Sequence, residues 1–221
     1  MHGRRNARQC LLILGSLFCV SLGVCQDTPE VSFTLDFPGS DPSHYVISVY
    51  RDRHGSYRSN GKLSADSNSS ESDLAFSVSR ETTQRIFDLA KQSHYFDGKI
   101  DSGKKRLAFT GAKLLSYRAG DKASEAQYNY SPLPAVQELT TMFQSFSTTL
   151  EFGRRLSYEL QYQKLALDDE LKKLEGFANQ RHGIDLSPIS PVLEQIANDS
   201  TLLNVVRARA QRLAKADGRQ F

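Results

Sequence analysis

The segment whose spacing most resembles a chemical motif is GKIDSGKK, residues 98–105. Its glycines and lysines have the spacing of a phosphate-binding loop. Such a loop needs a hydroxyl side chain after its lysine to hold Mg²⁺, an apolar strand before it and a helix after it. Lys105 occupies the hydroxyl position, and the residues that follow are typical of a strand. We therefore predict an ordinary basic surface loop and no nucleotide site.

Oxygen-bearing side chains alternate over residues 66–73, as they do in a calcium-binding loop. Glu71 and Ser77 stand where that loop has its central glycine and its bidentate acid. Four histidines follow residue 25, too dispersed for a metal-binding pair on one element: His44, His54, His94 and His182. The sequence predicts a solvated loop and no metal site, unless distant residues assemble one.

No catalytic motif is present. The nucleophile elbow, the zinc-protease helix and the dinucleotide-binding glycine pattern are all missing from the sequence. The acidic run at residues 168–170 lies near Lys164, Lys172 and Lys173, which predicts a solvated helix face with weak ion pairs. We predict no catalytic residue and no cofactor. A hydrolase stays an alternative, with an acid and a base that come from distant positions and meet in a cleft.

The last predicted helix is locally basic, and Asp217 is the one acid among its cations. These are Arg207, Arg209, Arg212, Lys215 and Arg219. A solvated face that suits the negative end of the helix dipole explains the pattern without a function. The functional alternative is contact with an acidic patch of a partner, anionic lipid or polysaccharide, through Arg207, Arg209, Arg212 and Lys215.

The N-terminus has the pattern of a secretory signal peptide. Three arginines (Arg4, Arg5 and Arg8) precede an uncharged apolar run from Cys10 to Val24. This run of 15 residues is shorter than the roughly 20 that span a bilayer as a helix. The pattern predicts that residues 1–25 are a signal peptide and that the chain is secreted or periplasmic.

Leu22-Gly23-Val24-Cys25 also resembles the lipobox of bacterial lipoproteins. In that family the cysteine is acylated and becomes the first mature residue. The resemblance implies lipidation of Cys25 and a membrane-tethered protein, as the alternative to a free one.

The signal peptide also determines the chemistry left to the mature chain. All three cysteines (Cys10, Cys19 and Cys25) lie in it or at its edge. If cleavage follows Cys25 rather than two residues earlier, we expect no disulfide, thiolate metal site or cysteine nucleophile. The chain has 28 basic and 25 acidic residues, and three of the basic ones are in the signal peptide. The mature chain is therefore neutral, which gives no support to a nucleic-acid or general membrane partner.

Hydrophobic periodicity predicts an α+β fold, in which an antiparallel sheet of hairpins packs on helices and a helical C-terminal extension follows. The predicted strands are residues 31–37, 44–51, 56–59, 74–78, 107–118 and 123–130. A helix over 80–93 has Ser79 as its N-cap. The long helical stretch 131–178 begins at Ser131-Pro132, and we expect a break or a kink at Gly153. Helices over 191–197 and 201–216 follow. We predict an α+β domain over 26–152 and a helical region over 153–221.

Two further resemblances rest on these elements. The order hairpin, strand, helix, hairpin, helix over residues 45–150 resembles a small α+β domain of uncharacterised secreted bacterial proteins, which implies an extracytoplasmic location and no particular activity. Residues 193–214 are similar to one HEAT-type helical hairpin, with Asp199 at its turn and four matching second-helix positions, Val206, Arg207, Ala210 and Leu213. Because HEAT units bury their faces against neighbours, we expect the helix over 154–178 to cover this one.

We therefore predict an exported, non-enzymatic domain that acts through contacts with a protein or an envelope component. The first alternative is a module that binds a glycan or a small molecule on the tyrosine-bearing sheet. Its candidate residues are Tyr45, Tyr50, Tyr57, Tyr117, Tyr128 and Tyr130. The second alternative is the hydrolase with a dispersed site. The sequence leaves open the partner and the oligomeric state.

Overall fold

The computed structural model describes residues 28–64, 67–104, 106–180 and 184–216. The predictions for the signal peptide, Cys25, His182 and Arg219 lie outside these residues. Within the described ranges, no helix combines the length and the apolar character needed to cross a membrane.

One antiparallel sheet of six strands has the order β4-β3-β2-β1-β5-β6. The strands are β1 (Glu30–Asp36), β2 (His44–Tyr50), β3 (His54–Ser59), β4 (Ser72–Ser77), β5 (Ala112–Ala119) and β6 (Lys122–Tyr128). The two-residue period of β1 buries Val31, Phe33 and Leu35 on one face of the sheet. Helices cover that face, so the predicted α+β class is confirmed.

The helices are α1 (Arg80–Gln92), α2 (Pro134–Tyr162), α3 (Leu167–Gln180), α4 (Ser190–Asn198) and α5 (Asn204–Ala216). A short 3₁₀ turn at Ser187–Ile189 precedes α4. The prediction for Ser79 is confirmed, because its Oγ accepts a hydrogen bond from the Thr82 N–H at the start of α1.

The long helix α2 differs from the prediction in where it begins and in where it is interrupted. It begins at Pro134 after Leu133, and not at Ser131-Pro132. It also continues through Gly153, so of the two predicted alternatives, a break or a kink, the break does not occur. A Cβ atom on Gly153 would lie 2.4 Å from Ile189 Cγ2, so the glycine allows close packing of the 3₁₀ turn on a continuous helix. The break comes instead after Tyr162.

Two hydrophobic clusters meet along α2. The first joins the inner sheet face and α1 to the N-terminal part of α2, as far as Leu150. The second begins at Phe152 and includes α3, α4 and α5. The predicted domain boundary at 152/153 therefore lies inside one helix that contributes to both clusters.

As expected from the sequence, α4 and α5 pair closely and α3 packs against α5.

Candidate functional site

The strand β4 is an edge of the sheet, and its hydrogen-bond pattern shows which backbone groups face outward. The Val78 N–H donates to the Arg53 carbonyl at 2.9 Å, so these residues are a hydrogen-bonded pair. Hydrogen-bonded and non-hydrogen-bonded pairs alternate in an antiparallel ladder. From the register of β3 with β4, Phe76 and Leu74 therefore bond to β3.

It follows that Asp73 and Ala75 direct their N–H and C=O groups away from β3. In the part of the chain that the structure describes, no hydrogen bond to these four groups is recorded. The next outward carbonyl, that of Ser77, accepts a hydrogen bond from Ser187 Oγ at 3.3 Å, as this geometry requires. The free section of the edge therefore extends over Asp73 and Ala75.

A groove of about 550 Å³ lies beside this free edge. It runs between β4, the C-terminal half of α2, and the 3₁₀ turn with the first residues of α4. We call it the β4 groove. Its apolar lining includes Leu74, Phe76, Leu150, Tyr158, Ile189 and Val192. At its mouth the Tyr162 side chain is exposed.

Arg154, which lines the groove, belongs to a buried ion pair. Arg154 Nη1 lies 2.7 Å from Glu151 Oε2, and both side chains are almost fully buried. Tyr57 Oη and Ser59 Oγ donate to Glu151 Oε1 at 2.8 and 2.6 Å. Burial, followed by the charge of Glu151, raises the pKa of Tyr57. Because Arg154 also donates to the Ser70 carbonyl, at 3.4 Å, this network ties α2 to β3 and to the loop before β4.

A second, polar cleft of about 340 Å³ lies where α2 faces α3 and residues 62–64. Glu170 is buried there and pairs with Arg155 and with Lys173, whose Nζ is 3.2 Å from its Oε2. Glu159 Oε2 is also buried, and no hydrogen-bond partner for it is found among the described residues. Burial, and then the nearby charge of Glu170, raises the pKa of Glu159 to about 7. This carboxyl group can exchange a proton near neutral pH.

The burial of Glu170 corrects the prediction of a solvated acidic face at residues 168–170. Glu170 follows Leu167 by three residues and precedes Leu174 by four, so the helical period places it on the side of α3 that packs on α2. The same spacing was visible in the sequence. The predicted pairs of Lys172 and Lys173 are present, while Lys164 contacts Asp199 at 2.9 Å.

The candidate basic surface of α5 is largely engaged within the molecule. Arg209 pairs with Asp168 and with Glu175, and Arg212 Nη2 lies 3.2 Å from Glu175 Oε1. These pairs join α5 to α3. The charges of Arg209 and Arg212 are thus balanced by neighbouring carboxylates.

The other two candidates on α5 are less constrained. Arg207 Nε donates to the Ala197 carbonyl at 3.2 Å, and Lys215 is exposed. A contact role for this surface stays a prediction.

The segment with the phosphate-loop spacing folds as a loop around Asp101 over the described residues 98–104. The Asp101 carboxylate accepts hydrogen bonds from the backbone N–H groups of Gly103 and Asn129, which lower its pKa. The Gly103 amide of this loop is therefore bonded to the Asp101 carboxylate, and the Ser102 amide to the Tyr130 carbonyl, rather than free for a phosphate.

The sheet tyrosines divide between the core and the surface. Tyr45, Tyr57 and Tyr128 are buried in the first cluster. Tyr50 and Tyr117 are half-buried, and Tyr130 is exposed.

Two features of the site were missed by the sequence reasoning. The pair of Glu151 and Arg154 follows Ser147 and Leu150 on the buried stripe of α2, so the helical period could have found it. The open edge of β4 left no sequence signal, because strand order depends on distant pairings.

Across the described residues, no group of three or more His, Asp or Glu side chains could hold a metal ion. No protein-family model matches this chain, and no curated protein sequence matches it significantly.

Proposed function

We propose that this chain is a non-enzymatic binding module that receives an extended segment of a partner protein in the β4 groove. One observation carries the proposal: Ala75, whose N–H and C=O groups point outward from β4, lines an apolar groove, and Asp73 is the neighbouring residue with outward backbone groups. Unpaired backbone groups on an edge strand are a template for another strand. Addition of a strand to a sheet edge is a common mode of peptide recognition.

The chemistry of the segment follows from the pleat of β4. Side chains of an added strand alternate between the two faces of the sheet. Those on the face of Leu74 and Phe76 would enter the groove, and the others would lie beside Ala75 on the outer face. We therefore expect a segment with apolar residues at alternate positions.

Charge and size are consistent with such a segment. The Asp73 carboxylate is 3.3 Å from Arg58 Nη2, and Arg154 is paired with Glu151. The charges of Asp73 and Arg154 are therefore balanced within the molecule and do not require a charged partner. The groove volume of about 550 Å³ lies within the range of about 300–1,000 Å³ that is common for binding pockets. Backbone bonds would fix the direction of the segment, and apolar contacts would select its sequence.

We also propose that the module acts outside the cytoplasm, either free or tethered through Cys25. The support is the charge and hydropathy pattern of residues 1–25. Intact mass and membrane fractionation after expression with the native N-terminus would test this. A soluble chain that begins near Gln26 means a free exported protein, a diacylglycerol adduct on Cys25 means a tethered one, and an uncleaved cytoplasmic chain refutes export.

A phage-displayed library of random dodecapeptides tests the groove. Ala75→Pro removes the outward N–H while the ladder with β3 stays intact, because proline is tolerated at the open side of an edge strand. Ala75→Val changes the same side chain and keeps the N–H, so it is the matched control. We expect the selected peptides to share alternating apolar residues, to bind Ala75→Val like the wild type, and to bind Ala75→Pro at least tenfold more weakly.

Peptides that bind Ala75→Pro as tightly as the wild type would refute strand addition at β4. Failure to select any peptide that depends on Ala75 would refute it as well. If the purified chain itself dimerises, and Ala75→Pro abolishes the dimer, the occupant of the edge is a second copy and not a partner segment.

A second candidate function, hydrolysis, is favoured by the polar cleft alone. There Glu159, with a pKa of about 7, is suited to give a proton to a leaving group near neutral pH. The Glu170 carboxylate, paired with Arg155 and Lys173, is the neighbouring anion. A panel of chromogenic glycosides and esters tests this. Hydrolysis that is lost in Glu159→Gln and kept in Ala75→Pro would favour the enzyme, and no hydrolysis by the wild type would count against it.

A further inference from the structure

Three arginines line a separate cleft of about 430 Å³ between the turn that joins β2 to β3 and the first turns of α1. They are Arg51, Arg53 and Arg80. No ion pair of theirs with a carboxylate is recorded within the described ranges, whereas Arg85 and Arg155 on other surfaces are each paired. A cluster of guanidinium groups in one concavity, none of them in direct contact with a described carboxylate, is the feature to be explained.

Contacts hold the side chain of Arg51 and the backbone of Arg53 in place. The Arg51 guanidinium carbon lies 4.6 Å from the ring centre of Phe87, a buried residue of α1, in a cation–π contact. Arg53 has φ 75°, a left-handed conformation that is uncommon for a long side chain. Its N–H donates to the Tyr50 carbonyl at 3.0 Å, and its own carbonyl accepts from Val78 at 2.9 Å. The backbone of Arg53 is therefore held at both ends.

The position of Arg80 makes the local potential more positive. Arg80 is the first residue of α1, where the helix dipole already favours a negative charge and disfavours a cation. Negative charge already lies at this helix end, because the Ser79 N–H donates to Asp185 Oδ2 at 3.1 Å and Glu81 lies in the first turn. The start of α1 therefore carries charges of both signs, and the three guanidinium groups supply the positive charge of the cleft.

Two carboxylates also line the cleft, so its lining holds three cationic and two anionic side chains. Asp52 Oδ1 accepts the backbone N–H of His54 at 3.1 Å, and its Oδ2 is 3.4 Å from the His54 ring. Asp88 lies eight residues after Arg80, about 12 Å along the helix axis at 1.5 Å per residue. The lining keeps an excess of positive charge near Arg80.

We propose that this cleft binds a phosphate group, held by Arg51, Arg53 and Arg80. Guanidinium groups donate paired hydrogen bonds that match the oxygens of phosphate, and a phosphate at the start of a helix is stabilised by the helix dipole. The group can belong to a free or soluble phosphate compound or to a phospholipid headgroup. The site lies outside the β4 groove, so the proposal does not depend on the groove.

Isothermal titration of the mature chain with inorganic phosphate tests the site, with sodium chloride at matched ionic strength as the blank. Arg80→Ala removes one guanidinium from an exposed position, and Arg53→Gly removes another while it relieves the left-handed backbone. Arg118→Ala is the matched control, because Arg118 is exposed on β5, lies outside the cleft and has no recorded ion pair among the described residues. We expect at least tenfold weaker binding in the two cleft variants and unchanged binding in the control.

A second arm distinguishes the sources of the group. Vesicles of phosphatidylglycerol and of phosphatidylcholine are sedimented with each variant at physiological ionic strength. Loss of phosphatidylglycerol binding in Arg80→Ala but not in Arg118→Ala identifies a headgroup site. Binding of inorganic phosphate without binding to either kind of vesicle identifies a soluble ligand. Binding in neither arm, or equal weakening by Arg118→Ala, overturns the proposal.

Discussion

Glu159→Gln should change how the stability of this protein depends on pH. The pKa of Glu159 is raised from 4.5 to about 7 in the folded chain, because its carboxyl group is partly buried beside Glu170. The folded state then binds the proton more tightly than the unfolded state. The protonated carboxyl therefore contributes stability in full below pH 4.5, and this contribution is lost as the pH rises through about 7.

The magnitude follows from the two pKa values. Each pKa unit corresponds to about 1.4 kcal/mol, so the difference between 4.5 and about 7 sets an upper limit of roughly 3.5 kcal/mol. Glu159 is only half-buried, and solvent screening reduces this figure to about 1–2 kcal/mol. Glutamine has nearly the same shape and never ionises. It should therefore remove this part of the pH dependence while the packing stays intact.

Urea denaturation at about pH 5 and about pH 8 measures the effect. Relative to the wild type, Glu159→Gln should be more stable by about 1–2 kcal/mol at the higher pH and show little difference at the lower pH. Glu194→Gln, at an exposed position on α4, is the matched control for loss of one carboxylate. If wild type and Glu159→Gln lose the same stability between the two pH values, the assigned environment of Glu159 is wrong.

Three further substitutions test packing, capping and the buried ion pair by denaturation. Gly153→Ala should lower the free energy of unfolding by about 1–3 kcal/mol, because the new methyl group overlaps Ile189, and this loss should be smaller in an Ile189→Ala background, where the overlap is absent. A gain in stability from Gly153→Ala alone would show that the close approach is wrong. Ser79→Ala should cost about 1 kcal/mol through loss of the N-cap, and no change would contradict the capping bond. Glu151→Gln should cost about 3–5 kcal/mol by leaving Arg154 buried without its anion, and further substitution of Arg154 by Met should recover part of that loss. Additive losses in the double variant would contradict the pairing.

The strands and α1 could be predicted because their signals are local. The alternation of Val31, Phe33 and Leu35 with polar residues identified a strand with one buried face, and the structure buries these three side chains. Ser79 before a helical pattern identified the start of α1. In each case neighbours in the sequence make the interaction that stabilises the element.

The helix α2 has no break at Gly153, because a tertiary contact there outweighs the low helix propensity of glycine. Glycine weakens an isolated helix, so the sequence predicts a break or a kink at Gly153. In the folded chain Ile189 packs directly against Gly153, and contacts of both hydrophobic clusters along α2 offset the low helix propensity of glycine. The helix ends after Tyr162 instead.

The sequence by itself determined the α+β class, because periods of two and of about 3.6 residues reflect which side chains are buried along each element. The tertiary structure alone decided which edge of the sheet is open and which charges meet. Asp73 and Ala75 are free at the edge because no described strand pairs with the outer side of β4. Arg51 and Arg80 share a cleft because the turn after β2 lies beside α1. Such neighbours are far apart in the chain, and folding brings them together through the pairing of strands and the packing of helices, which no local pattern encodes.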